Sequence, residues 1–434
     1  MDVKARDQIL KRPFSIQETG LTLGVLTELA LKSIYNMGEL GANDLSREMH
    51  LPFSGVLQGV LQLLDREELV NITGSGGFGE RAYRYTLTRN GIDRVRQALE
   101  RNQYVGPAPV RLEEYNAMIR AQSVGELSLN EADLESAFQG LVINRAMLDK
   151  VGPALNSGRS VFLYGSPGNG KTTIATRMAR LIATDPIYIP YAVSVDGHII
   201  KVYDDFNHRA IKTEPAAHHP TNAAGSTDEG HDERWLLVER PTVMVGGELT
   251  LESLNLIWDP AAKYYEAPFQ MKANGGMFLI DDFGRQQMNP QELLNRWIVP
   301  LETRVDFLSL HTGKKIEIPF EQLVVFSTNL DPTDLVDEAF LRRIRHKIKV
   351  DDPSAEEFHQ VFQIMCRVLG VTYNREGFIH LVREWYVKPK RTFKNSHPRD
   401  ILDQLLDIAR YKRLEPAATP EAIDQACVAY FADL

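Results

Sequence analysis

The sequence predicts an α/β protein: a parallel β-sheet flanked by helices, followed by an α-helical C-terminal region and preceded by a small α+β domain. Three observations predict it. An apolar run, Val161-Phe162-Leu163-Tyr164, breaks into a glycine-rich turn and then at once into a helical pattern. Two later apolar runs, 277–280 and 323–328, end abruptly in Asp281-Asp282 and Asn329; strands buried on both faces read as such unbroken runs. Before residue 105 the order helix, helix, helix, hairpin sets a separate small unit apart.

Composition bounds the rest. A chain of 434 residues, 43% apolar and 25% charged, is an ordinary globular chain long enough for two or three cores. Its net charge of −9 argues against broad attraction to nucleic acid or anionic lipid. Cys366 and Cys427 lie in apolar helical patterns without metal-ligand spacing, and read as core thiols in a reducing compartment. The first residues carry charges of both signs, and no stretch approaches 18 uninterrupted apolar residues, so a cytoplasmic protein without membrane association is expected.

In the first domain, 1–105, apolar positions Leu23, Leu26, Ala30, Ile34 and Met37 recur at helical spacing, a second helix fits 42–50, and a third is expected to begin at Ser54. Strands near 69–73 and 81–86 then flank a glycine-rich loop. This order resembles a winged helix. Such a domain raises the question of DNA, but the third helix offers Gln58 and Gln62 rather than cations, and residues 1–110 hold 13 basic and 13 acidic side chains. A duplex binder needs cations to replace released counterions, so a protein-docking or structural module is preferred and DNA contact through Arg81 and Arg84 is the alternative. Gly106-Pro107-Ala108-Pro109 suggests a linker over 106–129. A nucleotide-binding domain is expected over 130–350, with a hairpin and loop insertion at 190–250, and a helical lid over 351–434. Within the insertion, Asp196-Gly197 is a tight-turn pair between two strands. The polar stretch holding His208, His218, His219 and His231 has no ligand spacing and reads as a solvated loop.

The turn Gly165-Ser166-Pro167-Gly168-Asn169-Gly170-Lys171-Thr172-Thr173 is a phosphate-binding loop, matching GxxxxGK[ST] in full. Glycines let successive N–H groups point at phosphate oxygens, and the following helix adds its positive dipole end. Lys171 is placed to reach the β- and γ-phosphates, and the Thr172 hydroxyl to ligate Mg2+. Asp281 would hold the metal and Asp282 orient an attacking water, because their strand lies beside the first in such sheets. Asn329 is placed to hydrogen-bond that water or the γ-phosphate. Arg342 and Arg343 are candidates to stabilise phosphoryl-transfer charge from a neighbouring copy, and Arg399 opens a helix whose first turn faces the phosphates.

Taken together these motifs look like the AAA+ ATPases over roughly residues 130–434. The resemblance implies a P-loop NTPase fold, ATP and Mg2+ as cofactors, Lys171 and Thr172 in Walker A, Asp281 and Asp282 in Walker B, Asn329 as sensor 1, Arg342 or Arg343 as arginine finger and Arg399 as sensor 2. Gly247-Glu248-Leu249, Tyr264-Tyr265-Glu266-Ala267-Pro268 and Ala273-Asn274-Gly275-Gly276 are similar to the helix-2-insert branch, which includes the magnesium-chelatase-like and MoxR-like ATPases, and 307–319 fits its pre-sensor hairpin. The loop GAFTGA of σ54 activators is absent. Where most members carry Glu, this chain has Asp282, shorter by one bond of roughly 1.5 Å. The expectation is an ATP hydrolase that assembles into a ring, expected as a hexamer, and remodels a protein client. Two rivals stand beside it: a DNA-associated ATP-dependent switch or loader, favoured by Lys388, Lys390, Arg391 and Lys394, and a non-hydrolysing nucleotide-sensing scaffold.

Overall fold

A computed structural model of the chain describes residues 3–75, 77, 79–211, 230–335 and 338–431. At its centre is a five-stranded parallel sheet: β1 (Ser160–Tyr164), β2 (Thr242–Val245), β3 (Met277–Ile280), β4 (Leu323–Thr328) and β5 (His346–Lys349). The spatial order is β2-β3-β4-β1-β5, with Met277 opposite Leu323, Val324 opposite Ser160 and His346 opposite Val161. β3 and β4 are buried throughout, which is why they read as unbroken apolar runs. One face packs on Ile174, Ala175 and Met178 of the helix Lys171–Ile182 and on Val151 and Leu155. The other packs on Trp297, Leu293 and Leu294 of the helix Pro290–Thr303. Edge strand β2 alternates exposed and buried residues and falls inside the stretch expected as an insertion; its short, half-exposed pattern is that of an edge strand and gives no buried-run signal.

The N-terminal unit comprises helices Leu23–Met37, Ala42–Met49 and Gln58–Arg66, with a three-stranded antiparallel sheet whose middle strand is Tyr83–Leu87. Two expectations are corrected. The third helix begins at Gln58, not Ser54, because Gly55 adopts φ 81° and the preceding turn is extended at Ser54; a Cβ at Gly55 would sit 2.0 Å from the Phe14 carbonyl oxygen. The short strand Glu39–Gly41 was not expected and completes the sheet.

The segment 106–129, expected as a linker, is built into the structure. Val110–Arg111 pairs in parallel with Ala192–Val195, and the helix Leu112–Ala121 buries Tyr115, Met118 and Ile119 completely. The Gly-Pro cluster dominates the sequence reading, whereas Leu112, Tyr115, Met118 and Ile119 carry a helical stripe one step further on. Val110–Arg111 is an edge strand of a second five-stranded sheet that includes the Asp196-Gly197 hairpin, and the helix Leu112–Ala121 and the hairpin Val305–Ser309/Lys315–Pro319 pack on the same core. Tyr265 is buried there and its hydroxyl hydrogen-bonds His311, while Tyr264 packs edge-on to Tyr104. Both tyrosines therefore serve packing. His208 is a core residue that accepts from the Asp204 N–H and donates to the Lys272 carbonyl; His218 and His219 lie outside the described residues, as does Asp337.

After β5 the chain folds into helices, chiefly Ala355–Leu369, His397–Lys412 and Pro420–Tyr430, around Phe358, Phe362, Tyr386 and Leu405. Cys366 and Cys427 are buried in this core, and burial raises both thiols to about 12. No described helix is long and apolar enough to cross a membrane.

Candidate functional site

Because β4 lies between β1 and β3, the residues that follow these three strands converge at one edge of the sheet. Gly165 follows β1, Asn329 follows β4 and Asp281 follows β3. Ligands of open parallel sheets sit at this carboxyl edge. The Asn329 carboxamide bridges its neighbours: it accepts from Lys171 Nζ at 2.6 Å and donates through Nδ2 to Asp282 at 3.1 Å. The Thr172 hydroxyl donates to Asp281 Oδ2 at 2.8 Å. Four residue types that the sequence marks separately thus form one connected group.

The loop has its curled form because glycines allow it. Gly165, Gly168 and Gly170 take φ of 140°, 80° and 85°, and a Cβ at Gly165 would lie 2.3 Å from the Val350 carbonyl oxygen, so only glycine fits. Lys171 also donates to the Gly165 and Ser166 carbonyls at 2.8 and 3.0 Å. Burial lowers its pKa, and the carboxylates of Asp282 and Asp281 oppose that shift. Asp282 sits at φ 49°, a left-handed conformation that Asp tolerates at a cost on the order of 1 kcal/mol. The conformation turns its carboxylate back toward Asn329.

These residues line a cavity of about 630 Å3, within the range of pockets that hold small ligands. Its lining is of two kinds. Residues 167–173, Asp281, Asp282 and Asn329 supply polar groups, while Leu141, Val142, Ile143, Met147, Val361 and Met365 supply apolar ones. A polyphosphate joined to a flat base matches that division. The donor set also suits Mg2+: the Thr172 hydroxyl and the Asp281 carboxylate stand side by side, and Mg2+ takes hard oxygen ligands of this kind.

The helical region forms one wall of the cavity. Arg399 lines it with Asn395, Ser396 and Asp400, and Arg399 also faces Asp403 at 3.6 Å. Arg342 and Arg343 are elsewhere, at the end of β1 remote from the loop. Ser160 Oγ donates to the Arg343 carbonyl at 3.2 Å, Arg342 meets Glu338 at 3.0 Å and Arg343 meets Glu302 at 2.6 Å. With Arg159, Arg345 and Glu302 they line a second pocket, whose charge is mostly cationic.

Two parts of the cavity are not foreseen from sequence. The apolar wall 141–147 reads there only as helix leading into β1. Asp352 accepts from Asn169 Nδ2 at 2.6 Å and from Lys394 at 2.5 Å; its signal is the acidic pair Asp351-Asp352 at the end of β5, before Pro353.

A family model described as a domain of unknown function (DUF8689) matches residues 354–429, the helical C-terminal region. No curated protein matches the chain. Among solved structures, a point mutant of RuvB from Thermotoga maritima is 11% identical over 72% of this chain and 74% of its own, with a TM-score of 0.37. NtrX from Brucella abortus in complex with ATP is 12% identical over 86% and 75%, with a TM-score of 0.39, and its ADP complex is 13% identical over 77% and 65%, also at 0.39. Likeness of this size assigns no activity.

Proposed function

We propose that the chain is an AAA+ ATPase that binds Mg-ATP at this cavity, hydrolyses it in an oligomeric ring and uses the cycle to remodel a protein client. The observation that supports this reading most is the Lys171–Asn329–Asp282 chain beside the Thr172–Asp281 pair, at the carboxyl edge of three adjacent parallel strands. Loop amides and Lys171 bind and orient the polyphosphate. Thr172 and Asp281 would hold Mg2+, which would supply neutralisation of phosphate charge. Asp282 accepts a hydrogen bond from the attacking water and Asn329 fixes its orientation. Arg399 neutralises charge from the lid side.

Arg342 and Arg343 do not line their own nucleotide cavity, and with Arg159 and Arg345 they form a cationic face at the far end of β1. Such a face is suited to complete the site of a second copy, which supports a ring; a hexamer is the assembly proposed.

A DNA-associated switch is the weaker reading. In the N-terminal winged-helix-like domain, Gln58 and Gln62 donate to Glu80, Arg81 donates to Ser54 and Arg84 meets Glu39. In the basic run, Lys388 pairs with Glu384, Lys394 with Asp352, and Arg391 stacks on Phe431. These cations and amides, which duplex would use, are engaged within the chain. Steady-state ATP hydrolysis by the full chain, abolished in Lys171→Ala and in Asp282→Asn, tests the activity. Hydrolysis absent from the unaltered protein would refute it and leave the nucleotide-sensing scaffold.

A further inference from the structure

The helical region does more than roof the cavity: two consecutive residues of it, Asn395 and Ser396, are fastened to two consecutive residues of the phosphate loop, and Lys394 reaches the loop through Asp352. The Ser396 N–H donates to the Gly168 carbonyl at 2.8 Å. Asn395 donates through its backbone and its carboxamide to Asn169 at 3.5 and 3.4 Å. Lys394 Nζ and Asn169 Nδ2 both donate to Asp352 Oδ1, at 2.5 and 2.6 Å. Asp352 stands at the hinge between β5 and the first helix of the region, so the hinge, the loop and the lid meet at one carboxylate oxygen.

Several features show that this junction is built. Asn169 is 3% exposed, and a buried carboxamide needs its partners. Gly168 approaches so closely that a Cβ there would stand 2.7 Å from Ser396 Oγ. Partial burial alone would raise the Asp352 carboxyl, yet hydrogen bonds from Lys394 and Asn169 outweigh it and hold the pKa below the usual carboxylate value. The Asn395 carboxamide oxygen is buried without a hydrogen-bond partner, and such an orphan costs free energy, which offsets part of what the other bonds of the junction contribute.

We propose that Asp352, Lys394 and Asn169 are positioning residues that clasp the lid onto the phosphate loop, and that opening of this clasp sets the rate at which bound nucleoside diphosphate leaves. The inference rests on the ATPase reading for its ligand, not for the clasp itself. The lid supplies Val361, Ile364, Met365 and Arg399 to one wall of the cavity and the loop forms another. Departure of a ligand held between them is fastest when the walls part, and the clasp ties them at the phosphate end. Lys394 belongs to the basic run that would favour DNA; here its ammonium is committed to the hinge.

The test uses the full chain and two variants, Lys394→Met, which keeps the stem and removes the charge, and Lys394→Arg, which keeps a donor. Hydrogen exchange of the Ser396 amide without nucleotide reads the clasp, and release of a fluorescent ADP chased by excess ADP with Mg2+ reads its consequence. Loss of one charge-assisted bond is expected to raise both by about tenfold in Lys394→Met, with Lys394→Arg within about twofold of the unaltered chain. Unchanged exchange at Ser396 would overturn the clasp. Faster exchange with unchanged ADP release would overturn its control of release. Failure of the unaltered chain to bind the ADP probe would instead refute the ATPase reading and with it the release step, while the exchange data still decide whether the clasp exists.

Discussion

Replacing Asn329 by alanine removes the bridge between Lys171 and Asp282 and leaves the strand, the loop and both acids in place. Asn329 makes two bonds to charged groups, accepting at 2.6 Å and donating at 3.1 Å. Hydrogen bonds to charged partners are worth roughly 1.5–3 kcal/mol each, and the site is open enough to water to favour the low end. Lys171 keeps two carbonyl acceptors, Gly165 and Ser166, so nucleotide affinity should change by no more than a few-fold. Asp282 loses the group that aims it, so the loss falls on the chemical step: about 2 kcal/mol, or about 30-fold in kcat. Steady-state hydrolysis gives kcat and calorimetric titration with Mg-ATP gives affinity. Asn329→Asp goes further by adding a third carboxylate beside Asp281 and Asp282, and should weaken Mg-free ATP binding by about tenfold or more through like-charge repulsion. A kcat within twofold of the unaltered chain in Asn329→Ala, with Lys171→Ala inactive, would refute the role given to Asn329.

Three further outcomes are expected. Mixing Lys171→Ala subunits with Arg343→Ala or Arg342→Ala subunits should recover hydrolysis above either alone if an arginine completes a neighbour's site; no recovery with either arginine variant contradicts the shared site. Asp232→Ala strands the Arg234 guanidinium, whose side chain is 3% exposed and also donates to the Thr19 and Pro109 carbonyls. The expected loss is about 3–5 kcal/mol, read as a lower denaturation midpoint, and Asp232→Ala with Arg234→Met should recover part of it. Burial lowers the His397 pKa from 6.5 to about 4, so the folded chain keeps it neutral where the unfolded chain binds a proton. Stability from this group is complete above pH 6.5 and falls by up to roughly 3 kcal/mol as pH drops toward 4. His397→Gln should flatten that part of the stability profile, and an unchanged slope would contradict the assignment.

The central-sheet half of the fold is legible because its signals are local. A phosphate loop declares itself in eight residues, and strands buried on both faces cannot hide among polar positions, so Lys171, Asp281 and Asn329 are each visible before any pairing is known. What joins them is not: that β4 lies between β1 and β3 is a property of topology, and only this order puts the Asn329 carboxamide between Lys171 and Asp282. The clasp escapes for the same reason, since Asp352 and Lys394 lie far apart in sequence and nothing in the acidic pair or the basic run says that they meet. Gly55 shows the opposite failure. The apolar stripe from Val56 runs smoothly into it, and the left-handed turn that delays the helix brings Gly55 against the Phe14 carbonyl, far earlier in the chain. The second sheet is legible only at its hairpin, because its parallel pairing of Val110 with Val193 needs a long crossover that periodicity does not report.

The central claim is that a nucleoside triphosphate with Mg2+ occupies the cavity over Lys171. Calorimetric titration of the full chain with Mg-ATP measures it directly: saturable binding at one site per chain, weakened at least tenfold in Lys171→Ala whose fold is intact by circular dichroism. Equal affinity in the two proteins, or no heat of binding in either, would contradict it.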